Sequence, residues 1–142
     1  MPQADILQLA DALVADLNAH GFSMAFQAVR GYLPTFELTE LNTLKVTVVP
    51  KQDEGKLDTR SSPAHEFAID IGVQKRSGVE PGQLDDMAAL VSEIADWLRE
   101  ETLALMPDAR LMGIPNEPVF APEHLDEFRQ FTSVLSATYR VW

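Results

Sequence analysis

The sequence predicts an α+β fold, with an antiparallel or mixed sheet of four to five strands and two amphipathic helices packed on one of its faces. Three observations carry this. Apolar residues recur at three- and four-residue spacing in two separate stretches and at alternate positions in several others. The stretches follow in the order helix, three strands, helix, then one or two strands, so helices and strands do not alternate strictly as in a parallel α/β sheet. At 142 residues the chain suffices for one sizeable core and predicts a single domain over 1–142.

The first helix is expected from about Pro2 to His20. Ile6, Leu9, Ala10, Leu13 and Leu17 form its apolar stripe, and Asp5, Asp11 and Asp16 fall on the wet side. Gly21 follows as a natural left-handed stop. The period then switches to two: Phe22, Met24, Phe26 and Ala28 alternate with smaller or polar residues, a half-buried strand running to about Arg30. Thr35 to Asn42 reads equally as a short helical turn or a loop. Leu44 to Val49 is rich in β-branched residues and predicts a second strand ending at Pro50.

Residues 51–63 hold one apolar residue, Leu57, among Lys, Asp, Glu, Gly, Ser and Pro, and are expected to be an exposed loop or long hairpin tip. The third strand is the clearest. His65, Phe67, Ile69, Ile71 and Val73 alternate with Glu66, Ala68, Asp70, Gly72 and Gln74, as in an antiparallel strand with one face covered. After a Gly-Pro turn over Gly78 to Gly82, a second helix is expected from Gln83 to Leu105, with Asp85 and Asp86 in its first turn. Leu84, Met87, Val91, Ile94, Leu98 and Leu105 make its stripe, with Leu90 and Trp97 together on one flank. A short strand over Leu111 to Ile114, one helical turn at 122–128 and a long closing strand from Gln130 to Trp142 complete the pattern. Hairpin-like neighbours place both helices on one face and leave the other solvated or covered by a partner.

Composition narrows the function. There is no cysteine, which removes disulfide scaffolds, thiolate zinc sites and cysteine nucleophiles. The first residues show neither the basic region nor the apolar core of a signal peptide. No apolar run approaches the ~18 residues of a membrane-spanning helix, so the chain reads as cytosolic, with no membrane partner. The net charge of −11 opposes gripping phosphates or anionic lipid. The acid is uneven: residues 83–106 sum to −5, whereas 44–63 sum to +1 and are the one segment that is not acidic.

No motif for chemistry emerges. His20, His65 and His124 are not spaced as paired ligands, and His65-Glu66 lacks the second histidine of a zinc helix. The acidic pairs Asp53-Glu54, Asp85-Asp86, Glu100-Glu101 and Asp126-Glu127 abut loops or polar helix faces, where they read as solvated charge. There is no phosphate loop, dinucleotide fingerprint or nucleophile elbow. Catalytic, cofactor-binding and metal residues are accordingly expected to be absent.

What remains is surface. Leu90 and Trp97 are either a wide core stripe or a patch covered by a neighbouring subunit, and Trp142 raises the same question. Lys51, Lys56 and Arg60 stand out on an acidic body and could dock on acidic faces of identical neighbours, or belong to a plain hairpin tip. Because 51–63 holds almost no apolar surface, deleting it is expected to impair assembly without unfolding the core.

In its order of elements the chain resembles the tail-terminator (tail-completion) proteins of tailed bacteriophages. The resemblance covers nearly the whole length. It rests on the N-terminal amphipathic helix, the strand LNTLKVTVVP at 41–50, the polar stretch after it, EFAIDIGV at 66–73, the second helix, and FTSVLSATYRV at 131–141. It implies hexameric rings that cap the finished tail tube, stop its polymerisation and form the surface joining tail to head. DNA would pass through such a ring without specific binding, and the partners would be the tube protein and a head–tail connector. The family has no catalytic residues, and its long hairpin corresponds in position to 51–63. The place implied is the tail or neck of the virion, after assembly in the host cytoplasm. Other readings are another neck protein (head closure or adaptor), a small acidic metal-dependent hydrolase or nuclease, and a bacterial protein of phage origin with a reassigned binding role.

Overall fold

Seven elements lie along the chain in the computed structural model, which describes residues 5–24, 26–31, 44–57, 64–76, 81–100, 103, 109–115 and 130–141. They are α1 (Asp5–Ala19), β1 (Gln27–Arg30), β2 (Lys45–Leu57), β3 (Ala64–Arg76), α2 (Pro81–Glu100), β4 (Arg110–Gly113) and β5 (Gln130–Val141). The strands form one mixed sheet in the order β1-β2-β3-β5-β4. β1 runs parallel to β2, and every other pairing is antiparallel. The fold is α+β, as the periodicities predict.

The core follows from the two periods. On β3, Phe67, Ile69, Ile71 and Val73 point to one side, and register places Tyr139, Ala137, Leu135 and Ser133 of β5 beside them. Val46 and Val48 of β2 extend the same row, opposite Val73 and Ile71. The apolar stripes of both helices pack into one core with this row: Leu9, Leu13 and Leu17 from α1, and Met87, Leu90, Val91, Ile94 and Leu98 from α2. α1 lies against β1 and β2, and α2 against β5. Both helices thus cover one face of the sheet.

Several boundaries differ from the sequence expectation, each for a local reason. α2 opens at Pro81, where a missing N–H costs nothing, so Asp85 and Asp86 fall in its second turn and not its first. Gly21 is not in the left-handed region, and an added Cβ there would meet nothing within 4 Å; α1 instead ends with the His20 N–H still bonded to the Asp16 carbonyl at 3.1 Å. β1 keeps only Gln27–Arg30 of the strand expected from Phe22. Upstream of it the Ser23 N–H is taken by a side chain of α2, so the alternation of Phe22, Met24 and Phe26 reflects packing against the core.

The neighbours β1 and β2 form no hairpin. Parallel strands need a crossover, and fourteen residues separate Arg30 from Lys45. The stretch Thr35 to Asn42 lies outside the described residues, as do Leu105 and the helical turn expected at 122–128. β2 does not end at Pro50 but continues to Leu57, paired with β3 down to Leu57 opposite Ala64. Proline is tolerated there because β1 stops opposite Val48, leaving that side of β2 without a strand neighbour among the described residues. Register shifts at Pro50/Gln52 and Asp53/Gly55 complete the edge. Half of the expected loop at 51–63 is therefore a strand, and 58–63 lie outside the described residues.

Candidate interaction surfaces

The junction between α1 and β1 is built on α2. His20 stacks on the Trp97 ring at 4.7 Å between centroids, and Phe22 meets both rings edge-on at 4.5 and 5.3 Å. Phe26 stacks on Phe22 at 5.3 Å. Between these aromatics, Ser23 donates its N–H and hydroxyl to the Glu93 carboxylate, the hydroxyl bond being 2.7 Å. One turn of α2 (Glu93, Trp97) thereby fixes the path of the chain out of α1. A groove of about 230 Å³, lined by Leu17, His20, Gly21, Phe22, Met24 and Phe26, opens beside the stack.

Asn18 then binds the start of β1. Its amide donates to the Ala28 carbonyl at 3.0 Å, and its oxygen accepts the Ala28 N–H at 2.7 Å. The pair imitates a neighbouring strand on the outer edge of the sheet. Beside it Arg30 reaches Asp11 at 3.3 Å.

The helix-free face carries cross-strand polar pairs at every fourth residue. Gln74 bonds Thr132 at 3.2 Å, Ser136 donates to Asp70 at 3.0 Å, and Arg140 grips Glu66 at 2.7 Å. Each couple is directly opposed in the β3–β5 register. Toward Thr47, Val49, Gln74 and Thr132 this face is buried within the chain itself, contrary to the expectation of a face solvated or covered by a partner. The Thr47 hydroxyl is buried with no hydrogen-bond partner among the described residues.

The residues singled out in the sequence scatter. Lys51 is exposed and reaches Asp70 on the helix-free face at 3.8 Å, a weak contact at that distance and exposure. Lys56 stands in β2 opposite His65, with its side chain outside the described residues, as are Arg60 and Trp142 entirely. Leu90 is fully buried in the core, so a neighbour has none of it to cover. Trp97 is partly buried and engaged with His20 and Phe22. Lys51 and the α2 flank are therefore not brought together.

Sequence reasoning missed Asn18, Glu93 and Met112. Asn18 and Glu93 are ordinary helix-surface polar residues until the fold sets their partners beside them. Met112 falls at a register shift in β4 between Leu111 and Gly113, which turns it outward to 47% exposure. Of the histidines, His20 is occupied by stacking, and Asp85 and Asp86 are exposed. Among the described residues no group of three or more His, Cys, Asp or Glu could hold a metal ion, and no helix is long and apolar enough to cross a membrane.

Inside the core, burial pushes the Tyr139 hydroxyl well above its ordinary range, and the negative charge of Asp16 adds to the shift. The side chain sits on the covered face of β5 and therefore belongs to packing.

Fold and surface together define the class: among the described residues, an α+β arrangement of two helices and a five-stranded mixed sheet. No family model matches the chain, and no curated protein matches it.

Proposed function

We propose that this chain is a structural subunit of the tail-terminator type, assembling as a ring on a completed phage tail tube and presenting the surface that joins tail to head. The observation that carries the reading is the chain order: an amphipathic helix, a short strand, a long hairpin, a second amphipathic helix and a long closing strand, the order in which the sequence resembles those proteins. The hairpin of β2 and β3 supports it by position. The net charge of −11 is compatible with a ring through which DNA slides, since few cations would be set against phosphates. On this reading the protein acts through its surfaces, in the virion, and performs no catalysis.

Native mass spectrometry and electron microscopy of the purified chain, alone and with tail tubes, test the proposal. A six-fold ring, free or seated on tube ends, is the expected result; a chain that stays monomeric even with tubes present would sink it. A ring that binds capsid portals and ignores tubes would favour a head-closure or adaptor role. Divalent-dependent DNA cleavage, abolished by replacing one acidic pair, would instead support the nuclease reading.

A further inference from the structure

We draw no further inference here: the strongest candidate, the groove at the α1–β1 junction lined by Leu17, His20, Phe22, Met24 and Phe26, carries nothing because nothing in the structure shows what covers it.

Discussion

Asn18 and Thr47 are opposite cases of polar groups at a sheet. Asn18 satisfies both backbone groups of Ala28 with one amide, so Asn18→Ala leaves a donor and an acceptor without partners beside a buried residue. We expect a loss of about 1–2 kcal/mol, read as a lower urea midpoint at unchanged m-value. Thr47 hides a hydroxyl that has no hydrogen-bond partner among the described residues. Thr47→Val keeps the β-branched shape and removes the unsatisfied group, so it should raise stability by about 1 kcal/mol in the same assay. A loss on Thr47→Val would mean that the hydroxyl has a partner.

Tyr139 adds a pH dependence at this scale. Its hydroxyl is neutral in the fold and has its pKa raised by burial and by Asp16, whereas in the unfolded chain it ionises near its ordinary value of 10.0. The unfolded state thus binds fewer protons once the pH passes that value. The contribution is fully present below pH 10 and is lost as the pH climbs toward the folded-state pKa. Tyr139→Phe should flatten the alkaline decline of the melting temperature relative to wild type; parallel curves for the two proteins would contradict the assignment.

At the scale of elements, the hairpin shows how far composition can mislead. Residues 51–56 are polar because they lie on a strand with one side free of a strand neighbour among the described residues, and charge, proline and bulges are how such an edge avoids unwanted pairing. Deleting 51–63 therefore removes strand and not merely loop. It should cost about 3 kcal/mol, taking roughly 0.5 kcal/mol for each of half a dozen lost ladder bonds. Replacing only 58–63 by an Asn-Gly turn should leave the urea midpoint unchanged, because the pairing ends at Leu57 and Ala64. Comparing the two deletions by chemical denaturation separates strand from connection. The same comparison tests the expectation that 51–63 can be deleted without unfolding the core.

At the scale of the whole molecule, a single sheet with both helices on one face, and with its other face buried at Thr47, Val49, Gln74 and Thr132, leaves its two ends and part of one polar face to deal with the surroundings. Asn18 closes part of one end, and an outward methionine marks the other. If copies of this chain meet end to end, a variant altered at either end should change assembly without changing the melt of the isolated subunit. Native mass and thermal melts of Met112→Asp, taken on one sample, read both quantities.

The sequence by itself determined the elements whose burial is periodic: the stripes of α1 and α2, the alternation of β3 and β5, and hence the α+β class. Periodicity is a local consequence of covering one face, so it survives in the letters. Only the tertiary structure decided the parallel pairing of β1 with β2, the passage of β2 through Pro50, the place of Leu90 in the core, and the partners of Asn18 and Glu93. Each depends on residues far apart in the chain: Glu93 meets Ser23 across seventy positions, and Asn18 meets Ala28 across a turn that the alternation alone reads as strand. No local pattern records which polar side chain will find a backbone group or which edge will lack a neighbour, because those choices are made when the elements pack.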